Sequence, residues 1–144
     1  MGEIRMQKAD NMMDVQQALD RGDDYTLQQV WDAYDARRTW LQVLAKATDQ
    51  EGERVAREAL AKLPQVNPAQ ALQANAKLVD ALTGRRWYVI QDMREAGESW
   101  TVVGKALGMT KQAAWEWYRA KIDLQAKYVP DFHDTARSHA VLEE

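Results

Sequence analysis

The chain has 144 residues, 46% of them hydrophobic and 28% charged, with a formal net charge of −3 and no cysteine. That length holds one ordinary domain, or a small binding unit with a helical partner, and the composition is that of a soluble globular chain. The missing cysteine excludes disulfides, thiol nucleophiles and cysteine-based zinc sites, and no apolar run approaches the roughly 20 residues of a membrane span.

Helical periodicity dominates. No Asn-Gly or Asp-Gly signal separates alternating apolar runs and only three prolines interrupt the sequence, so an all-α fold is expected, with no β-hairpin wing. The first predicted helix covers about residues 4–19 and ends in the polar turn Arg21, Gly22, Asp23, Asp24. Thr26 can cap a second, in which Leu27, Val30, Trp31, Tyr34, Leu41 and Leu44 recur at three- and four-residue steps. With Trp40, these residues make an aromatic-rich face larger than a lone helix can hide. It is expected to pack within its own chain as a four-helix array, or to form a homodimer interface; it shows no convergent polar group, so no cofactor is expected. A short third helix covers about residues 51–63 and stops near Pro64. Asn67 followed by Pro68 reads as an N-cap with proline at the first helical position. Leu72, Ala76, Val79 and Leu82 then mark one face up to Thr83 and Gly84, where the helix breaks or bends. Residues 1–83 are thus read as a helical packing and dimerisation region.

Residues 85–96 form the next predicted helix, burying Val89 or Ile90 and Met93. After it comes the most informative stretch, SWTVVGKALGMTKQAAWEWYR, from Ser99 to Arg119. Two short helices crossing steeply need a residue of minimal bulk where their backbones approach, and Gly104 supplies it despite a helix-propensity cost of roughly 1 kcal/mol. Gly108 suits a turn that requires positive φ. Val103, Leu107, Met109, Ala114 and Trp117 are spaced to converge on one small core, and Ser99 and Thr110 stand at the N-cap positions. The run from Arg94 to Arg119 resembles the tri-helical helix-turn-helix of small bacterial and phage regulators, a type related in shape to sigma-factor region 4 and to resolvase DNA-binding domains. Arg94 to Gly97, Ser99 with Trp100, Gly104 to Gly108 and Thr110 to Ala114 carry the resemblance, which covers about a quarter of the chain. It implies a DNA-binding domain over residues 84–127, with residues 128–144 as a polar tail holding at most a turn or two of helix.

The charge distribution agrees with that reading better than the total does. Residues 84–121 carry seven basic and four acidic side chains, whereas residues 1–83 carry ten and thirteen and residues 122–144 two and five. A positive segment between acidic flanks suits contact with phosphate, and its modest size implies few contacts per subunit and a need for a dimer or partner. The resemblance places Lys111 and Gln112 at the base edges of the major groove of double-stranded DNA. Gln112 can pair with adenine N6 and N7, and Lys111 can donate to guanine or to phosphate. Trp115 can press on a thymine methyl or a sugar, Glu116 can accept from cytosine N4, and Arg119 reaches phosphate. The N-terminus of the helix opened by Ser99, with the free N–H groups of Trp100 and Thr101, is a second phosphate site. Lys105, Arg85 and Arg86 flank it, although Arg85, Arg86 and Lys121 equally suit a solvated face.

Other readings remain at this level. Trp115 is large for a groove and Glu116 brings negative charge near phosphate, so this face also suits a protein partner, as in an adaptor or anti-repressor. One of Trp115, Trp117 and Tyr118 must be core; the motif selects Trp117, and Trp115 has the option of packing on the N-terminal helices. A phage DNA-packaging or recombination accessory protein is a third expectation from the same fold. Catalysis is not expected: His133 and His139 are six residues apart, off one helical face, and there is no Gly-rich phosphate loop or nucleophile elbow, nor any metal-ligand spacing. Met1 to Arg5 opens no signal-peptide pattern, so a cytoplasmic location without membrane association is expected.

Overall fold

Asp14, Asp23 and Asp49 each accept a backbone N–H from three residues on, and each opens a helix in the first half of the chain. In the computed structural model, which describes residues 12–131 and 133–143, the chain is helical, with no strand among those residues. No helix among them is long and apolar enough to cross a membrane. The chain divides into two units, Met1–Ala81 and Leu82–Glu144.

In the first unit α1 covers Val15–Arg21, α2 Asp24–Lys46 and α3 Gln50–Ala61, and α4, Pro68–Gly84, carries the chain into the second unit. Residues 4–11 of the first predicted helix lie outside the described residues. Only Gly22, at φ 68°, and Asp23 separate α1 from α2. Thr26 does not cap α2. Its amide donates to Asp23 Oδ1 at 2.9 Å, because Asp23 is the residue in extended conformation and its carboxylate is the stronger acceptor. At α4 the expected start is realised as a reciprocal pair: the Gln70 amide donates to Asn67 Oδ1 at 2.8 Å and the Asn67 amide to Gln70 Oε1 at 3.0 Å.

Leu19, Leu27, Val30, Ala33, Val66, Ala71 and Ala74 bury together, with Trp31, Tyr34 and Leu78 packed against them. The aromatic-rich face of α2 is thus split. Trp31 and Tyr34 join this core, whereas Leu41 is 50% exposed. The predicted stripe on α4 points outward, with Leu72 68% and Val79 52% exposed. Ala71, Ala74 and Leu78 face the core instead, because small side chains let a backbone come close while bulk on the same face would hold it off. Lys77 fixes that rotation by donating to the Leu19 carbonyl at 2.9 Å.

In the second unit α5 covers Arg86–Glu95, α6 Trp100–Leu107, α7 Lys111–Tyr128 and α8 Thr135–Ala140. The helix interruption at Gly84 and Arg85 is minimal, with the Arg85 amide still donating to Leu82 O at 3.3 Å. Trp87, Ile90, Trp100, Val103, Ala114, Tyr118, Ile122 and Val141 form the core. Of the pair left open on α5, Ile90 is buried and Val89 exposed. On α7 the inward residue is Tyr118, not Trp117. Ala114, Tyr118 and Ile122 follow at four-residue steps on one side, and the Tyr118 hydroxyl finds a buried acceptor in the Ser138 carbonyl at 2.6 Å. Burial pushes the Tyr118 phenol up to about 12. Trp117 sits at the edge of the same core, with the Arg86 guanidinium 6.0 Å from its ring centre.

The expected polar tail is folded onto this unit. Asp134 caps α8, Ser138 and Val141 are buried, and the Ser138 hydroxyl donates to Gln91 Oε1 at 2.7 Å. Composition reads these residues as solvated, yet both polar groups of Ser138, hydroxyl and carbonyl, find partners inside. His139 latches α8 to α7, with Nδ1 2.6 Å from the Thr135 carbonyl and Nε2 2.9 Å from Asp123 Oδ1. Both neighbours are acceptors, so the doubly protonated ring satisfies both, and the Thr135 carbonyl and the Asp123 carboxylate raise the His139 pKa. Its contribution to stability is complete below the unfolded value near 6.5 and is lost as pH rises through the raised folded value. Moving from about pH 6 to about pH 8.5 should therefore lower the thermal midpoint of the wild type by a few degrees more than that of His139→Gln. Parallel pH profiles for the two proteins would show that the latch carries no net energy.

Candidate nucleic-acid interface

The α6–α7 corner is built from four local devices. Ser99 caps α6, its Oγ accepting the Val102 amide at 3.3 Å. At the other end Gly108, at φ 67°, lets the Met109 amide donate to Gly104 O at 2.8 Å and the Gly108 amide to Lys105 O at 3.2 Å, the paired bonds of a Schellman motif. Thr110 at once caps α7, its Oγ1 accepting the Ala113 amide at 3.1 Å. Gly104 lies where the chain doubles back, and a Cβ there would stand 2.8 Å from the Met109 oxygen and 3.0 Å from Thr110 backbone atoms.

This corner leaves the start of α7 open to solvent. Lys111, Gln112, Glu116 and Arg119 are exposed, and Gln112, Glu116, Arg119 and Asp123 follow one another at three- and four-residue steps on one face. The Gln112 side-chain amide donates to Glu116 Oε1 at 3.0 Å, so the two predicted readers are held together. Arg119 lies over the Trp115 ring at 5.4 Å from its centre and 3.7 Å from Asp123, which leaves its guanidinium extended along the helix surface. Thr101, Lys105, Arg85 and Arg86 are also exposed.

Trp115 and Arg94 stand elsewhere than expected, whereas of Trp100 only the backbone N–H was expected to serve. The Trp100 indole is buried beneath Tyr118 and the Arg94 guanidinium, so only its backbone N–H is left as a donor at the start of α6. Trp115 is half-buried, and its indole N–H donates to the Leu142 carbonyl at 3.0 Å; it packs on the C-terminal segment of its own unit. Arg94, counted among the motif's positive charges, turns inward and donates to the carbonyls of Val141, Glu98 and Glu143 at 3.1, 2.7 and 2.9 Å. The motif's outward positive charge is smaller by that one cation than the sequence suggests. Asp123 was missed altogether, although its four-residue spacing from Arg119 was a visible signal.

No protein-family model, curated protein or solved structure matches the chain. The described residues contain no group of three or more His, Asp or Glu placed to hold a metal ion. From Lys111 to Asp123 the exposed side of α7 offers an amide, two carboxylates and two cations.

Proposed function

We propose that α5, α6 and α7 are a tri-helical helix-turn-helix, and that the chain is a sequence-specific double-stranded DNA-binding protein acting as a transcriptional regulator. The observation that carries this reading is the corner at Gly104. A glycine forced by backbone contact, a positive-φ glycine and a threonine cap follow within seven residues and present the first turn of α7 to solvent. In that arrangement Lys111 and Gln112 meet base edges, with Glu116 beside Gln112 setting the orientation of its amide. Arg119, held against Trp115, and Lys105 contact phosphate, and the Ser99-capped start of α6 offers its N–H groups to another. Each protomer neutralises few phosphates, so tight binding calls for a homodimer on two half-sites.

Selection of bound fragments from a random DNA pool tests this. The wild type should enrich one sequence, and Lys111→Ala/Gln112→Ala, whose substitutions lie on an exposed face, should abolish the enrichment while leaving the melting curve in place. Affinity for the selected site should fall with salt at a log–log slope of about −0.9 per phosphate contacted. Equal, unselective binding by both proteins would overturn the regulator reading.

A further inference from the structure

The C-terminal helix α8 reaches the candidate DNA face through Asp123. The Oδ1 of that carboxylate lies 2.9 Å from His139 Nε2, and its Oδ2 lies 3.7 Å from Arg119 Nε. One carboxylate thus serves a titratable ring on one side and the arginine assigned to phosphate on the other. Beyond that pair, Arg119 rests on the Trp115 ring, whose indole N–H is tied to the Leu142 carbonyl. The other charged groups on the neighbouring elements are engaged elsewhere. On α5, Glu95 and Asp92 act on Arg137 and Gln91 accepts from Ser138, and on α7 Lys127 lies over the Tyr128 ring at 5.1 Å.

We propose that protonation of His139 decides whether Arg119 is held by Asp123 or open to an external phosphate, so that anion binding by this face is under proton control. The inference rests on the reading of Arg119 as a phosphate contact. With both ring nitrogens protonated, Nδ1 donates to the Thr135 carbonyl at 2.6 Å and Nε2 donates to Asp123, so the imidazolium neutralises the carboxylate. Arg119 then turns to phosphate at little cost. The neutral ring has one proton for two acceptors. It stays on Nδ1, because the Thr135 carbonyl is fixed in the backbone of α8 whereas the Asp123 side chain can rotate. Nε2 then presents a lone pair to the carboxylate, and Asp123 swings toward Arg119, cancelling its charge and repelling a phosphate beside it. The Thr135 carbonyl and Asp123 hold the His139 pKa above its ordinary value of 6.5, so the change falls on the alkaline side of that value. The side chains of His139, Asp123 and Arg119 are 38%, 52% and 58% exposed, so solvent screens both pairs and the effect is small in fold terms.

Two readouts on the full chain at low salt test the switch. In the free protein, carbon-detected NMR should show the His139 ring and the Arg119 Cζ resonances moving together between about pH 6 and about pH 8.5. Asp123→Asn, on an exposed face, should abolish the movement at Arg119 while the His139 ring still titrates, with a lower midpoint. An Arg119 resonance that stays put across the His139 titration, or moves equally in Asp123→Asn, would overturn the proposal whether or not the chain binds DNA. On a random-sequence DNA duplex, affinity of the wild type should fall from about pH 6 to about pH 8.5 by about threefold more than that of Asp123→Asn, the size expected of an exposed ion pair. The same pH dependence in both proteins would also overturn it. Coupled resonances with no duplex binding would establish the link between His139 and Arg119 and overturn the DNA reading instead, which keeps the two failures apart.

Discussion

Gly104→Val is expected to destabilise the second unit by about 3 kcal/mol and to lower its thermal midpoint by about 15 °C. A side chain at this position meets backbone, and backbone has no rotamer through which to withdraw. Its Cβ alone would lie 2.8 Å from the Met109 oxygen, which is also the end of the turn held by Gly108 and Thr110. Valine adds two methyl groups to that contact, and relief requires α6 and α7 to part around Val103, Ala114 and Tyr118, all fully buried. Gly104→Ala should fall between the two, its clash partly offset by about 1 kcal/mol of gained helix propensity. Thermal melts followed by circular dichroism decide the point. If the valine variant melted with the wild type, the corner would have room that the geometry denies, and the close helix approach on which the DNA reading rests would be lost with it.

Arg94→Ala should destabilise the same unit by about 3 kcal/mol, a typical loss for hydrogen bonds made by a charged donor. The guanidinium bridges the end of α5 to the C-terminal segment through the Val141 and Glu143 carbonyls, holds the Glu98 carbonyl, and covers the buried Trp100 ring at 5.2 Å. Removing it should also raise backbone hydrogen exchange over residues 135–143, because the α8 segment loses two of its ties. Arg94→Lys separates charge from shape. An ammonium keeps the cation but cannot donate from three directions to three carbonyls, so most of the loss should persist. A fully stable lysine variant would show that charge alone acts at this position.

Gly104 and Arg94 mark where sequence was sufficient and where it was not. The caps at Ser99, Thr110 and Asn67, the turn at Gly108 and the need for glycine at 104 are demands of a few adjacent backbone groups, and the chain satisfies them within three or four residues. They were legible for that reason, as was the all-helical character. Rotation of a helix about its axis was not. On α4 two stripes competed, and the one with alanines won; on α7 Trp117 and Tyr118 competed, and the phenol that could reach a carbonyl won. Both choices depend on what a distant segment presents, which periodicity does not register.

The same division runs through the candidate site. Sequence by itself determined which residues begin α7 and that Lys111, Gln112 and Glu116 lie in its first turns, because helix starts are local. Only the tertiary structure decided which neighbouring charges and aromatics are left for a partner. Arg94 and Trp115 look like surface chemistry in one dimension, yet both end against carbonyls of the C-terminal segment, about fifty and twenty-seven residues away respectively. Val89 and Leu82 look like core and stand open beside Arg85 and Arg86. The physical reason is the range of the forces: capping and turn geometry are settled by hydrogen bonds between near neighbours, whereas burial is settled by whichever distant surfaces fit closely enough to exclude water.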